Sequence, residues 1–392
     1  MNTLVVGLGR INIKNKDGGA IRLYNVLRRF IVRKVEVDVL IPERDLGNFR
    51  DHRVKANFHL LTDPRWMGDN IVLLYTWRIV RGVLFALNYN QKADIVYSAS
   101  DFWHDFLPAL AYKLKNPSKK LVTCLFLMAP PPWKKYEDMY SNRISFPRLW
   151  TTVFYITQRF TILLGKFFGD AFFVLNETDK EKLISFGILQ KKVFVVSMGV
   201  DIPKKFSKDV TKKFDGIFLG RLHPQKGLSD LLEIWQRVVV ERPKAKLAII
   251  GGGSANDIRK LLTDIEQHGL MNNIKYLGYL DGQDKERILF ESRIMLVPSH
   301  YESWGQVLIE GVAAGLPVIT YKLPIFSKVF GNNIISVELF NIKKFAQAVL
   351  KLLPGQSRGS EIFVVRPSFI YKYSWNIIAE REIVLFNNLL RS

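Results

Sequence analysis

The chain has 392 residues, and this length predicts two or three domains that each bury a core. Hydrophobic residues make up 48% and charged residues 24%, which excludes a disordered chain. The single cysteine, Cys124, excludes a disulfide framework and a cysteine-based metal cluster, and it fits a reducing compartment. The net charge of +21 predicts a negatively charged partner: a nucleic acid, an anionic membrane or a phosphate-bearing substrate.

Short apolar runs alternate with helical periodicity in the first half of the chain. The predicted strands are residues 3–7, 35–41, 58–61, 94–97, 120–127, 171–175 and 193–196. The predicted helices are residues 20–32, 71–88, 106–114, 149–167 and 179–186. This alternation favours an α/β fold with parallel strands and crossover helices on both faces of the sheet.

The pattern breaks between residues 199 and 214, where a polar, lysine-rich stretch with Pro203 predicts a linker. A second alternation follows, with predicted strands at 215–219, 247–250, 274–277, 294–297 and 317–321. Helices are predicted at 228–240, 255–268, 285–291, 307–314, 342–352 and 375–390. The sequence therefore predicts two Rossmann-like, doubly wound units in series, with ligands at the carboxyl ends of the strands.

Two apolar segments, residues 71–89 and 149–168, are each interrupted by basic residues. Because a spanning helix needs about 20 mostly apolar residues, we do not expect a transmembrane helix. The first residues also lack the basic leader of a signal peptide. Both segments have the composition of a helix that lies in a membrane interface. The alternative is a buried domain helix whose arginines reach the rim of the core.

A basic, glycine-containing loop follows the first predicted strand of the second half. It reads GRLHPQKG from Gly220 to Gly227 and leads into a helix. Gly220 permits a sharp turn, and Arg221 and Lys226 place two positive charges beside the helix N-terminus. This combination predicts a diphosphate site, although it lacks the glycine spacing of a Walker loop. A solvated basic turn is the alternative interpretation.

Two further loops follow strands of the same half. The sequence IIGGG, which includes Gly252, fits either a phosphate-approach loop or a plain turn. In ESWGQVLIEGVAAG, Glu302 lies on a loop and Glu310 lies in the following helix. Carboxylates accept hydrogen bonds from sugar and ribose hydroxyls, and the loop amides at residues 303–305 suit an anion. A capping acid and a surface glutamate are the alternative.

Together, these three loops resemble the donor-binding half of glycosyltransferase family 4, the group 1 retaining transferases of GT-B fold. DGGAIRLYNVLRRF resembles the glycine-rich loop and first helix of the acceptor half, and YSWNIIAEREIVLFNNL resembles the C-terminal helix. The resemblance implies two Rossmann-like domains that face a cleft. They are an acceptor-binding domain (residues 1–200) and a donor-binding domain (214–373), with a last helix (374–392) that packs back on the first domain.

By this resemblance, Arg221 and Lys226 bind the donor diphosphate, Glu302 contacts the transferred sugar and Glu310 holds the ribose. The resemblance also implies donor contacts for Gly18, Gly19, Gly220, Gly252, Ser303, Trp304 and Gly305. The implied reaction moves a hexose from a nucleotide-diphosphate sugar to a hydroxyl acceptor, including a lipid-linked glycan. Retention of configuration is implied, without a metal or other cofactor. The implied location is cytoplasmic, including the cytoplasmic face of the membrane.

The chain departs from the family pattern in its first half. Many relatives carry a histidine where this chain reads KLVTCLFL, at residues 120–127. His104, which follows the preceding strand, is the candidate for a catalytic role, and a plain loop histidine is the alternative. Trp304 stands where the family usually has phenylalanine, a change expected to reshape the sugar pocket. The loop at residues 126–145 is expected to select the acceptor.

Three other functions compete with a transferase. The charge alone suggests a nucleic-acid binder, but zinc spacing, stacking signatures and a helix-turn-helix pattern are missing, so no nucleic acid is expected. A dinucleotide-dependent oxidoreductase would need a third glycine after Gly7 and Gly9. An epimerase or phosphorylase shares the same fold. An anionic membrane equally suits the basic residues of the first helix, which are Arg22, Arg28, Arg29, Arg33 and Lys34.

Overall fold

The computed structural model describes residues 1–9, 18–68, 70–135, 138–140, 144, 146–202, 210–354 and 367–392. The chain divides into two compact units. The first comprises Met1–Trp133, Phe146–Gly199 and Trp375–Ser392, and the second comprises Lys134–Ser145 and Val200–Ser374. Residues 203–209 of the predicted linker, Asp17 of the predicted glycine-rich loop and part of the predicted acceptor loop lie outside the described residues.

The first unit is built on a parallel sheet. Its strands are β1 (Asn2–Val6), β2 (Glu36–Pro42), β3 (Asn57–Leu61), β4 (Ile95–Ser98), β5 (Lys120–Leu125), β6 (Ala171–Val174) and β7 (Val193–Val195). Across the described ranges their order is β3-β2-β1-β4-β5-β6-β7, with parallel pairing throughout. Every residue of β4 and β6 is buried, as expected for parallel strands that are covered on both faces.

The helices of the first unit connect these strands. They are α1 (Gly18–Val32), α2 (Leu46–Asp51), α3 (Ile71–Asn88), α4 (Trp103–Lys115), α5 (Leu149–Phe168) and α6 (Glu177–Ser185). The chain moves one way across the sheet from β1 to β3 and the other way from β3 to β7. Because such crossovers are right-handed, α1 and α2 cover one face and α3 to α6 cover the other.

The second unit repeats this architecture. Its strands are β8 (Phe214–Leu219), β9 (Leu247–Ile250), β10 (Ile274–Tyr276), β11 (Ser292–Val297), β12 (Val318–Tyr321) and β13 (Ile335–Val337). In the part of the chain that the structure describes, they form one parallel sheet in the order β10-β9-β8-β11-β12-β13. Its helices are α7 (Leu228–Glu241), α8 (Ala255–Gln267), α9 (Gly282–Phe290), α10 (Gln306–Ala313), α11 (Pro324–Phe330), α12 (Ile342–Leu352) and α13 (Pro367–Lys372).

The last helix, α14 (Trp375–Arg391), belongs to the first unit and packs against α1. A buried ion pair joins the two helices, since Arg22 of α1 donates to Glu382 of α14 and both side chains are at most 1% exposed. The Arg22 guanidinium also donates to the Ser197 carbonyl at 2.9 Å. An anionic membrane is therefore not the partner of Arg22, because this arginine is buried and holds the C-terminal helix in place.

The predicted α/β class with parallel strands is confirmed, and α3, β9 and α12 have the predicted bounds. The sequence prediction missed α2, α11, α13 and β13. These elements are six, seven, six and three residues long. An element this short contains less than two helical turns or too few alternations to show a period.

Candidate functional site

The candidate site lies where the strand order of the second sheet reverses. β8 and β11 are neighbours in this sheet. From β8 the chain continues to β9 on one side, and from β11 it continues to β12 on the other side. In open parallel sheets, ligands bind outside the carboxyl ends of the strands at this point. The GRLHPQKG loop follows β8 and the ESWG loop follows β11, so the topology brings both predicted loops to one crevice.

The loop after β8 must pass very close to the loop after β11. Gly227 has a φ of 68°, and a Cβ at this position would lie only 1.9 Å from the Pro298 carbonyl oxygen. A side chain is therefore excluded by both conformation and space. His223 caps the turn that precedes Gly227, since its ring nitrogen accepts from the Gln225 amide at 3.2 Å. This packing fixes the start of α7 beside the end of β11.

Gln225 ties the two loops together. Its side-chain amide donates to the Tyr301 carbonyl at 2.7 Å, and its own carbonyl accepts from the His300 amide at 2.9 Å. Gln225 is 6% exposed, so these hydrogen bonds are shielded from water. The loops that carry Lys226 and Glu302 are therefore held in a fixed relation by one side-chain and one backbone hydrogen bond of Gln225.

The glycine loop after β9 supports the loop after β8. A Cβ on Gly251 would lie 1.7 Å from the Gly220 carbonyl oxygen, and the Leu222 amide donates to the Gly252 carbonyl at 2.9 Å. The glycines thus allow two backbones to touch. Gly220 therefore lies against the glycine run that contains Gly252. This close packing gives the run a structural role in addition to its predicted contact with phosphate.

Lys226 and Glu302 form an ion pair. Their side chains are 14% and 9% exposed, and Glu302 also accepts from the Ser299 hydroxyl at 3.0 Å. Arg221 is exposed and has no ion-pair partner within the described ranges. The crevice thus presents one cation that is held by an acid and a second cation that faces solvent.

Glu310 lies in α10 and pairs with a lysine from another helix. Lys285 of α9 donates to Glu310 Oε2 at 3.1 Å, and the Gln306 side-chain amide donates to Oε1 at 3.3 Å. Burial lowers the pKa of Lys285, but the charge and hydrogen bond of Glu310, together with the charges of Asp281 and Tyr279, raise this pKa above its usual value. Lys285 therefore stays charged and fixes the direction of the Glu310 carboxylate.

A second polar cluster lies beneath the loop after β11. The Asp230 carboxylate of α7 accepts from the Tyr321 hydroxyl at 2.7 Å and lies 3.1 Å from His300 Nε2. Burial raises the pKa of Asp230, but the hydrogen bond and charge of His300, followed by the bond from Tyr321, bring it below its usual value. This cluster anchors the segment between β11 and Glu302.

The ESWG loop turns into α10 through Gly305, whose φ of 91° suits glycine. Ser303 is half-buried on this loop. Trp304 is 1% exposed, and its ring packs edge-on against Phe330 and Tyr373. The structure therefore places the Trp304 side chain in the hydrophobic interior, where it supports the loop by packing.

In the first unit, the strand order reverses between β1 and β4. Gly18 and Gly19 begin α1, and a Cβ on Gly18 would contact the Met198 methyl group at 3.6 Å. His104 is in the first turn of α4, after β4, and is 4% exposed. A Cβ on Gly9 would lie 2.5 Å from His104 Nε2, so this ring packs against the backbone that leaves β1.

His104 is uncharged in the folded protein. Burial, reinforced by the charge of Arg78, lowers its pKa from 6.5 to about 3. Its ring stacks on Phe102 and packs edge-on against Tyr75, and Nε2 has no hydrogen-bond partner among the described residues. An imidazole with so low a pKa is a weak general base at neutral pH. The catalytic role of His104 stays a prediction, and its burial favours the structural alternative.

Replacing His104 with glutamine is expected to flatten the acid side of the stability profile. The wild-type protein loses stability as the pH falls from 6.5 towards 3, because His104 binds a proton in the unfolded chain but stays neutral in the folded protein. The difference amounts to roughly 3 kcal/mol between pH 6.5 and about pH 4. Urea unfolding across this range should show that the free energy of unfolding falls less on acidification in the variant than in the wild type. A difference that does not depend on pH would contradict the assignment.

The chain is similar to known proteins in part of its sequence and in its fold. Residues 201–361 match the family model described as glycosyl transferases group 1. This segment carries both loops of the crevice. The Anabaena protein HepE, crystallised with UDP and glucose, superposes with a TM-score of 0.75 at 16% identity, covering 99% of this chain and 100% of that one.

The fold is GT-B. The curated relatives include the poly(glycerol-phosphate) alpha-glucosyltransferase of Bacillus subtilis, 29% identical over 48% of this chain and 28% of that protein. Another is the phosphatidyl-myo-inositol mannosyltransferase of Mycobacterium leprae, 26% identical over 45% of this chain and 47% of that protein. The chain thus spans less than half the length of these curated relatives.

Sequence reasoning missed the residues that hold the site in place. Lys285 stands 25 positions before Glu310, in an unremarkable polar helix, and only the packing of α9 near α10 brings them together. Gln225 and Asp230 were likewise not singled out, although both lie in or just after the GRLHPQKG loop. The one signal in the sequence is that the acid Asp230 directly precedes two apolar residues, Leu231 and Leu232, which α7 buries.

Proposed function

We propose that this protein is a retaining glycosyltransferase that moves a hexose from a nucleotide-diphosphate sugar to a hydroxyl acceptor. One observation carries the proposal: Lys226 and Glu302 come from the loops after β8 and β11 and form an ion pair at the strand-order reversal of the second sheet, and Glu310 lies in the helix that follows the second loop. A cation suits the diphosphate of a nucleotide sugar, and two carboxylates can accept hydrogen bonds from hexose and ribose hydroxyls. The group 1 glycosyl transferase match over residues 201–361 supports the assignment.

The proposed role of the two cations is to bind the donor diphosphate. Lys226 and Arg221 lie on the loop that leads to the N-terminus of α7, where unpaired backbone amides add partial positive charge. Negative charge grows on the diphosphate as the glycosidic bond breaks. Fixed cations that already face this group stabilise the growing charge without reorganising at the moment of reaction.

The proposed chemistry balances without a group from outside the two substrates. The bond between the anomeric carbon and the diphosphate oxygen breaks, and the electron pair leaves with the nucleoside diphosphate. The acceptor hydroxyl forms the new bond on the same face of an oxocarbenium-like centre and gives its proton to the departing phosphate oxygen. No protein nucleophile, metal or other cofactor is part of the proposal, and metal-independence stays a prediction.

Because Lys226 pairs with Glu302, donor binding would change the partners of both side chains. The donor diphosphate competes with Glu302 for Lys226, so the acid is released as the phosphate arrives. Glu302 keeps the Ser299 hydroxyl as a partner and gains free lone pairs for the sugar hydroxyls. The proposed exchange couples phosphate binding to the positioning of the group that recognises the sugar.

We further propose that the acceptor is a phosphate-bearing or lipid-linked glycan and that the protein acts at the cytoplasmic face of an anionic membrane. The net charge of +21 supports a negatively charged acceptor or surface. Two of the relatives are named for poly(glycerol-phosphate) and for phosphatidyl-myo-inositol, which both carry phosphate. Gly18, Gly19, Gly220 and Gly252 keep their proposed roles as close-approach positions for the donor.

Donor binding followed by product analysis tests the proposal. UDP-, GDP- and ADP-sugars are screened for an increase in melting temperature, starting with UDP-glucose, since a ligand bound only to the folded state stabilises it by about 2.7 kcal/mol at one hundred times its Kd. The binding donor is then incubated with acceptors, and the anomeric configuration of the product is read by NMR. Transfer with retention is expected. An epimerised donor, a sugar 1-phosphate formed with inorganic phosphate, or no stabilisation by any nucleotide sugar would overturn the proposal.

Replacing Lys285 with methionine is expected to raise the KM for the donor about tenfold and to change kcat less. The substitution removes the charge that directs Glu310, the proposed ribose ligand, at a cost of about 1.4 kcal/mol in binding. Lys260→Met is the matched control, because Lys260 pairs with Asp264 on the surface of α8. Initial-rate kinetics over a range of donor concentrations decide the outcome. An unchanged KM would show that Lys285 does not position the ribose ligand.

A further inference from the structure

Two helices of the first unit have apolar side chains on their outward faces. On α5 the exposed stripe repeats every three or four residues and consists of Leu149, Val153, Ile156, Phe160, Leu163 and Phe167. On α3 the matching stripe is Leu73, Val80, Leu84 and Leu87. A surface helix of a water-soluble domain normally has polar residues at these positions. We call these ten side chains the outward apolar face.

The inward face of α3 is narrow and mostly apolar, but it contains one buried charge. Arg78 is 1% exposed, and its guanidinium donates to both carboxylate oxygens of Asp63 at 3.0 and 2.6 Å and to the Leu8 carbonyl at 2.7 Å. The neighbouring Gly82 fits tightly against Leu8 and Pro108. Rotating α3 to bury its leucines would break the buried Arg78 ion pair, which is costly.

The inward face of α5 also contains buried polar groups beside apolar ones. The Gln158 side-chain amide donates to Asp101 at 2.8 Å and to the Leu127 carbonyl at 2.9 Å, and its oxygen accepts from the Ala129 amide. One turn further on, the Thr161 hydroxyl donates to the Asp101 carbonyl at 2.9 Å. These buried hydrogen bonds fix the rotation of α5 about its axis, so its apolar stripe points away from the domain.

The two stripes belong to one surface, because α3, α4 and α5 lie side by side on the same face of the sheet. Trp103 of α4 bridges its neighbours: its backbone amide donates to the Tyr75 hydroxyl of α3 at 3.0 Å, and its indole donates to the Thr157 carbonyl of α5 at 3.2 Å. Phe102 stacks on Phe154 beside this bridge. Helix α8 of the second unit is different, since its exposed side is largely polar and charged.

The exposed charges on the two segments that carry the outward apolar face are all of one sign. Residues 70–92 and 146–169, which contain α3 and α5, include no aspartate or glutamate. The exposed cations of these segments are Arg81, Lys92, Arg148 and Lys166. Trp150 is 61% exposed at the start of α5, and tryptophan prefers the boundary between lipid tails and headgroups. An apolar surface with a basic rim complements an anionic bilayer, whose headgroups are negative and whose interior is apolar.

We propose that the outward apolar face lies flat on an anionic lipid bilayer and buries the stripes of α3 and α5 at the level of the headgroups and upper acyl chains. This inference rests on the membrane contact included in the proposed function and specifies the residues that make it. Helix α3 is also the one described helix that is long and apolar enough to cross a membrane, with a mean hydropathy of 1.4. Crossing would pull Arg78 away from Asp63, so the geometry favours lying on the surface.

Fluorophores attached to single cysteines test the depth and the face of contact. Cys124 is buried and is the only cysteine, so a Cys124→Ala background accepts an environment-sensitive label at one chosen position. Labels at Leu163→Cys and at Val80→Cys are expected to shift to shorter emission wavelength on vesicles of phosphatidylethanolamine and phosphatidylglycerol. A label at Val384→Cys on α14 is the control, because Val384 is similarly exposed but lies on a helix that packs with α1 on the other face of the sheet. An equal shift at all three positions would overturn the proposed orientation.

Charged substitutions test the affinity. The triple variant Ile156→Glu, Phe160→Glu and Leu163→Glu is expected to bind these vesicles at least tenfold more weakly, and the wild type is expected to bind phosphatidylcholine vesicles at least tenfold more weakly than anionic ones. Val384→Glu should bind like the wild type. Unchanged vesicle binding by the triple variant would overturn the proposal. So would light scattering that shows a dimer abolished by the triple variant, without vesicle binding, because a second copy would then be the occupant.

The readouts separate this inference from the proposed transferase activity. The substituted residues lie in the first unit, and the proposed donor site lies in the second. The triple variant should therefore keep the increase in melting temperature that the donor gives the wild type. Donor stabilisation without vesicle binding would overturn the membrane surface alone, and vesicle binding without any donor stabilisation would overturn the transferase proposal alone.

Discussion

Replacing Lys226 with alanine is expected to lower the rate of sugar transfer by about 100- to 1,000-fold, which is typical for the loss of one group that stabilises growing negative charge. Lys226 is the half-buried cation of the crevice and pairs with Glu302. In the proposed reaction it faces the diphosphate as the glycosidic bond breaks. The rate of nucleoside diphosphate release at saturating donor concentration measures the effect.

Two comparisons make the Lys226 result interpretable. Lys260→Ala removes a lysine that is 75% exposed and also paired with an acid, and it should leave the rate unchanged. Glu302→Gln removes the same ion pair but leaves the Lys226 charge in place, so it should bind the diphosphate product at least as well as the wild type. Wild-type turnover in a folded Lys226→Ala protein, checked by its melting temperature, would show that this lysine does not support the leaving group.

Replacing Glu382 with leucine is expected to lower the free energy of unfolding by about 3–5 kcal/mol. The substitution leaves the Arg22 guanidinium buried without its carboxylate partner, and an uncompensated buried charge is costly. The Ser197 carbonyl and the Phe126 ring, 5.0 Å from the guanidinium, do not neutralise the charge. Urea unfolding measures the loss, and hydrogen exchange of α14 shows whether this helix is released first.

The double variant Arg22→Met with Glu382→Leu should recover most of the stability, because two apolar side chains can replace a buried ion pair at little cost. Glu380→Leu is the matched control, since Glu380 is exposed on the same helix. A double variant as unstable as Glu382→Leu would mean that shape, and not unpaired charge, dominates at this contact. A stable Glu382→Leu protein would contradict the role given to the ion pair.

Much of the candidate site could be predicted from the sequence because its chemistry lies in short contiguous motifs. GRLHPQKG and ESWG each follow a strand and precede a helix, so the residues that carry charge and the glycines that allow close approach are adjacent along the chain. The parallel topology then brings the loops together at the reversal between β8 and β11. The partners Lys285 and Tyr321 could not be predicted in this way, because they arrive from distant segments through packing.

The fate of a buried charge also depended on the tertiary structure. In the sequence, Arg22 resembles the other cations of the first helix, and only the return of α14 shows that Glu382 neutralises it. Arg78 interrupts an apolar segment, and the sequence offers either a membrane-interface helix or a core helix with arginines at its rim. The structure turns Arg78 inward to Asp63, so the interpretation that it reaches the rim is wrong for this residue.

The sequence by itself determined the alternation of strands and helices, the prediction of two units in series and the loops that carry the candidate chemistry. These properties follow from periodicity and from neighbouring residues, which a linear chain displays directly. Only the tertiary structure decided which side of α3 and α5 faces outward. Helices that are apolar almost all round give no directional signal along the chain, so the buried hydrogen bonds of Arg78 and Gln158 set their rotation.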